Sequence, residues 1–137
     1  MSDTHCLVGK VITAVSLASD KKAMRFEVTE GEAIRARATG DCCSRTWIEH
    51  VENPQALMGS AVLSARNIEM PSLPTTPDQD KVQFYGFQIE TAKGTCVIEY
   101  RNESHAYYGG SLVWPGDYYY RGADGQNVST KEWRLLA

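Results

Sequence analysis

The chain has 137 residues, 42% of them hydrophobic and 23% charged, with 17 acidic residues against 14 lysines and arginines for a net charge of −3. That length suits a single domain, residues 1–137, able to bury a core, and the acidic balance argues against a general nucleic-acid binder without excluding a local anion site. No apolar run reaches membrane-spanning length, and the polar start Met1-Ser2-Asp3-Thr4-His5-Cys6 offers no apolar leader, so a cytoplasmic protein is expected.

Leu7–Leu17 is expected to be a first strand, with Val11, Thr13, Val15 and Leu17 as its more apolar face. Ser19-Asp20-Lys21-Lys22 is a polar turn. Met24, Phe26 and Val28 alternate with Arg25, Glu27 and Thr29 in a second strand, and Ala33–Thr39 follows as a third, with Ile34, Ala36 and Ala38 on one side. Together they predict an antiparallel meander. After Asp41, two short helices are expected. Arg45–Val51 sets Trp47, Ile48 and Val51 at i, i+1 and i+4, and Asn53-Pro54 to Gly59 carries a cap, a first-turn proline and a stop.

Ser60–Met70 is a less regular fourth strand. Pro71–Asp80 holds three of the five prolines and reads as an irregular loop, a candidate flap or oligomer contact. Val82–Thr91 and Thr95–Arg101 form a hairpin about Ala92-Lys93-Gly94. The same sheet is expected to continue through Leu112, Val113 and Trp114, turn at Pro115-Gly116 and return through Tyr118–Tyr120, with Lys131–Leu136 docking at the end. The fold class expected is therefore α+β, mainly β: one antiparallel sheet of about six strands with two short helices after the third strand.

The residues that invite a functional reading lie between Ile98 and Gly122. Six of the seven tyrosines fall between Tyr100 and Tyr120, with Arg101, Asn102 and Arg121 among them. A buried tyrosine needs a partner for its hydroxyl, so a core alone would favour other residues. Flat rings, guanidinium groups and tight turns suit recognition of something planar and anionic; a tyrosine-rich hairpin packed across strands is the plainer alternative.

Catalytic signals are weak. The sequence lacks a nucleophile elbow, a phosphate loop, a dinucleotide fingerprint and a His-Glu-x-x-His motif. Cys6, Cys42, Cys43 and Cys96 show no metal-binding spacing and are expected as free thiols. No metal and no cofactor is expected. Glu99, Glu103 and Asp117 could supply an acid–base pair, although charged residues on exposed strands are the ordinary explanation.

Binding uses more of the parts present. Phe84, Tyr85, Phe87, Tyr107 and Tyr108 can present ring faces to a base, Arg101 and Arg121 can hold phosphates, Asn102 can read a base edge, and the backbone at Gly109-Gly110 can cup an anion.

Two stretches carry a family resemblance: Gly-Asp-Cys-Cys-Ser-Arg-Thr-Trp-Ile-Glu-His at 40–50, and Glu-Tyr-Arg-Asn-Glu-Ser-His-Ala-Tyr-Tyr-Gly-Gly-Ser-Leu at 99–112. They resemble small phage and prophage proteins of the Thoeris anti-defence sponge kind, non-enzymatic proteins that sequester cyclic ADP-ribose isomers made by bacterial TIR-domain proteins. The resemblance implies an antiparallel sheet with two helices, a homo-oligomer with pockets shared between protomers, and work in the cytoplasm of an infected bacterial cell. Side-chain chemistry then selects Arg45, Phe84, Tyr85, Arg101, Asn102, Tyr107, Tyr108, Gly109, Gly110 and Arg121 as ligand-binding residues, with no catalytic residue. Trp114, the tyrosines and the proline loop exceed what one small core needs and point to a dimer or a multiple of it. Two other classes remain open: a small nucleotide-hydrolysing enzyme using Glu99, Glu103 or His105, and a phage structural or interaction module.

Overall fold

The computed structural model describes residues 5–40, 44–70, 81–104, 110–115 and 132–137. Nine strands run through them: β1 (Ile12–Ala18), β2 (Ala23–Val28), β3 (Ile34–Gly40), β4 (Ser44–Glu52), β5 (Val62–Glu69), β6 (Lys81–Thr91), β7 (Gly94–Ser104), β8 (Gly110–Val113) and β9 (Trp133–Leu135). They build two antiparallel sheets, ordered β8-β3-β2-β1-β9 and β4-β7-β6-β5. One core lies between them. It takes Ile12, Val15, Met24, Phe26 and Ala36 from the first sheet and Ile48, Phe87, Ile89, Cys96 and Ile98 from the second. Burial of the Cys96 thiol pushes its pKa up to about 12, with the Glu52 carboxylate adding in the same direction.

The β1–β2–β3 meander is as the alternation predicts: Phe26 faces Val15 on one side and Ile34 on the other. The apolar face of β1 is different. Ile12 and Val15 are both buried while Thr13 is exposed, because the ladder slips between Ile12 and Ala14. A bulge adds one residue and changes the phase of the side chains.

The expectation of one sheet with two helices is overturned: there are two sheets, and no α-helix occurs among the described residues. Arg45–Val51 lies in β4, paired with β7 from Ser44↔Ser104 to Glu52↔Val97. The helical spacing of Trp47, Ile48 and Val51 has a physical origin in a register shift between Ile48 and His50. Ile48 and Val51 face the core on either side of that bulge, whereas Trp47 points the other way. A two-residue period with one residue inserted imitates an i, i+4 stripe. Asn53-Pro54 begins only a single 3-10 turn, Pro54–Leu57. Asn53 makes no side-chain cap there; its amide donates to the Thr95 carbonyl at 3.2 Å.

The β6–β7 hairpin forms as expected, with Gly94 at φ 146 closing its turn. The chain after it does not continue that sheet. β8 crosses to the other sheet and pairs with β3, from Arg37↔Val113 to Gly40↔Gly110. Trp114 is buried in the core, with ring centroids 5.4 Å from Phe26 and 4.9 Å from Phe87, so it does not furnish the exposed surface from which an oligomer was expected. The terminal strand β9 pairs with β1. Cys6 and Cys96 are free thiols, and no group of three or more metal-ligating side chains occurs among the described residues. Nor is any helix among them long and apolar enough to cross a membrane. Cys42, Cys43, His105, the Pro71–Asp80 stretch and Tyr118–Tyr120 lie outside the described residues.

Candidate functional site

Successive residues of a strand point to opposite faces, and this divides the candidate site. On β7, Cys96, Ile98, Tyr100 and Asn102 face the core, while Val97, Glu99, Arg101 and Glu103 face away from it. On β6, Tyr85, Phe87 and Ile89 face inward and Phe84 outward. Of the residues selected from sequence, Arg45, Phe84 and Arg101 share the outer face of the four-stranded sheet. Tyr85 and Asn102 lie on its inner face, and Gly110 lies in β8 beside them. Tyr107, Tyr108, Gly109 and Arg121 lie outside the described residues.

The outer face carries a row across three strands. Trp47 on β4 is the register partner of Arg101 on β7, which is in turn the partner of Phe84 on β6. The Arg101 guanidinium lies over the Phe84 ring, 4.1 Å from its centroid. One step along, the Arg45 guanidinium lies over the Trp47 ring at 5.1 Å. Such cation–ring contacts contribute about 0.5–1 kcal/mol when exposed and about 2 when desolvated. Each guanidinium also has a carboxylate: Arg45 donates to Glu103 at 3.3 Å and Arg101 to Glu99 at 3.4 Å. The first pair is open to solvent, but Arg101 and Glu99 expose only 14% and 20% of their side chains. Arg101 is therefore largely covered, over the Phe84 ring and across the ladder from Trp47.

These partners bear on the hydrolytic alternative. Glu99 and Glu103 are four residues apart on one strand, so roughly 13 Å separates them at about 3.3 Å per residue. Carboxylate pairs that flank a scissile glycosidic bond stand about 5–9.5 Å apart. Both are also engaged by arginine, so the two do not pair with each other; His105 and Asp117, the other acid–base candidates, lie outside the described residues.

The inner face is built from other chemistry. Tyr85 and Tyr100 stack with centroids 5.1 Å apart and planes at 14°. The Tyr85 hydroxyl donates to Gln83 Oε1 at 2.8 Å and the Tyr100 hydroxyl to Asn67 Oδ1 at 3.2 Å. Burial pushes the Tyr100 hydroxyl up to about 12; the hydrogen-bonded Leu112 backbone N–H pulls it down, and nearby Tyr85 pushes it up. Asn102 is wholly buried, and its amide donates to Thr46 Oγ1 at 2.8 Å. A side chain at Gly110 would bring its Cβ to 2.5 Å from that hydroxyl and 3.0 Å from Asn102 Cβ. β8 thus passes close against Thr46 and Asn102 at Gly110; Gly109, the other half of the expected phosphate nest, lies outside the described residues. Phe87 packs in the core against Trp114 and His5 and offers no ring face outward.

Trp47 is the site residue that sequence reasoning assigned to a helix stripe. The signal available was its i, i+2 spacing from Arg45, which places both on one face once the segment is a strand. Asn67, which meets Tyr100 from β5, carries no local signal, because only the pairing of β5 with β6 and of β6 with β7 brings the two together.

A family model described as Domain of unknown function (DUF7448) matches residues 5–114, a span from before β1 to the residue after β8. No curated protein and no solved structure matches the chain.

Proposed function

We propose that this chain, which belongs to the DUF7448 family, captures an anionic, ring-bearing, nucleotide-derived molecule on the outer face of its four-stranded sheet and holds it without covalent chemistry. The observation that carries this reading is the row Trp47–Arg101–Phe84. Two aromatic residues stand on either side of an arginine in the ladder, and its guanidinium lies over one of the rings, an arrangement that suits a base above the aromatic side chains and a phosphate on the guanidinium edge. A bound phosphate displaces Glu99 from Arg101 and Glu103 from Arg45, trading long ion pairs of 3.4 and 3.3 Å for shorter charge-assisted bonds. The resemblance of the stretches 40–50 and 99–112 to Thoeris anti-defence sponges supplies the specific ligand: a cyclic ADP-ribose isomer made by TIR-domain proteins. The protein then acts as a phage anti-defence sponge in the cytoplasm of an infected bacterial cell, as a homo-oligomer of two-fold symmetry.

Calorimetric titration with a cyclic ADP-ribose isomer tests this, followed by heat release and mass analysis of the ligand. Binding should be saturable and the released ligand intact. Arg101→Ala should lower affinity by about 1.5–3 kcal/mol, or roughly tenfold to more than a hundredfold. Conversion of the ligand to product makes the protein an enzyme; absence of binding leaves the interaction-module reading.

A further inference from the structure

The strands that present the outer row also wall a cavity on their inner side. It has a volume of about 400 Å³ and lies between β8 and the strands β5, β6 and β7. Tyr85 and Tyr100 line it as the nearly parallel pair described above, with Asn67 and Ser111 as further polar side chains and Gly110 and Leu112 contributed by β8. The volume falls within the roughly 300–1,000 Å³ of small-molecule sites.

The lining decides what such a space can hold. Among the described residues that line it there is no Lys, Arg, Asp or Glu. A charged guest would give up its water with no ion to replace it, which costs far more than burying a hydrogen-bonding neutral group. Hydrogen-bonding capacity is nonetheless present. The Asn67 Oδ1 accepts from Tyr100, which leaves the Asn67 amide N–H groups and the Ser111 hydroxyl to engage acceptor atoms. Tyrosine rings beside amide and hydroxyl donors favour a planar ring bearing nitrogen or carbonyl acceptors over a purely aliphatic guest.

We infer that this cavity is a second binding site, for an uncharged planar heterocycle of the nucleoside class, distinct from the anion-binding row because Tyr85 and Tyr100, which line it, point to the opposite side of β6 and β7 from Phe84 and Arg101. Its polar contacts run through Asn67 and Ser111, with the Tyr100 hydroxyl holding the Asn67 amide in place; those of the outer row run through Arg101 and Arg45.

The test titrates the full chain with adenosine, guanosine, cytidine and uridine by calorimetry. At least one should bind saturably below about millimolar concentration. Tyr100→Phe keeps the ring and removes the hydroxyl, and should weaken that nucleoside about tenfold; where it fails to fold, Asn67→Leu on the exposed strand β5 serves in its place with the same expected loss. Arg101→Ala should leave nucleoside affinity within about twofold, and in that background the corresponding 5′-monophosphate should bind at least about tenfold more weakly than the nucleoside. No saturable binding by any of the four overturns the inference. So does a nucleoside affinity that falls with Arg101→Ala and is unmoved by the Tyr100 or Asn67 variant.

Discussion

Phe84 and Tyr85 are neighbours in sequence and opposites in surroundings, as are Arg101 and Tyr100. Phe84 lies under the Arg101 guanidinium on the outer face of the sheet; Tyr85 stacks on Tyr100 inside the sandwich. The outer face joins guanidinium groups to rings and carboxylates, one ion pair open to solvent and the other largely covered. The inner face joins tyrosines to amides and backbone, and its partners are fixed by packing. One pair of strands thus presents two sets of side chains, charged groups with rings on one side and neutral polar groups on the other, separated by the thickness of a sheet. Residue type alone did not decide where these side chains stand; the phase of each strand did.

The comparison breaks first where the inner face is most tightly packed. Ile98 is fully buried in the core, and Ile98→Ala should cost about 2–5 kcal/mol, read as a large drop in the denaturation midpoint. The adjacent outward position should tolerate truncation far better, so an equal loss for Val97→Ala would show that both faces are packed alike. Gly110→Ala should follow, at about 1–3 kcal/mol, because its Cβ meets Thr46 and Asn102; an unchanged midpoint would mean that β8 does not press on β7 and β4. At the outer face, Arg101→Ala should weaken capture of the cyclic ADP-ribose isomer as stated above while shifting stability by only about 1 kcal/mol, measured by calorimetry beside thermal denaturation. The smallest effect sharpens the outer face most. Glu99→Gln removes the carboxylate that competes for Arg101, so anion affinity should rise about two- to fivefold, the equivalent of roughly 0.5–1 kcal/mol for a partly buried pair. A fall in affinity would make Glu99 a ligand contact or a catalytic group.

The local alternation of Met24, Phe26 and Val28 was enough to define β2 and its meander, because a half-buried strand writes its period directly into the sequence. The Ala92-Lys93-Gly94 turn likewise announced the β6–β7 hairpin, since a turn requiring positive φ at glycine is a local constraint. The aromatic and cationic character of Phe84 and Arg101 was legible too. Three things were decided only by tertiary structure. β4 is a strand because β7 supplies its ladder over most of its length, and the bulge after Ile48 disguises that period as a helical one. β8 joins β3 rather than the hairpin that precedes it, a choice made by burial of Leu112, Val113 and Trp114 against the other sheet. The separation of Arg101 from Tyr100 and Asn102, and the meeting of Tyr100 with Asn67, follow from register across β5, β6 and β7. A strand's own sequence fixes its period, but which side becomes the core, and which distant residue stands opposite, is set by the sheets that pack against it.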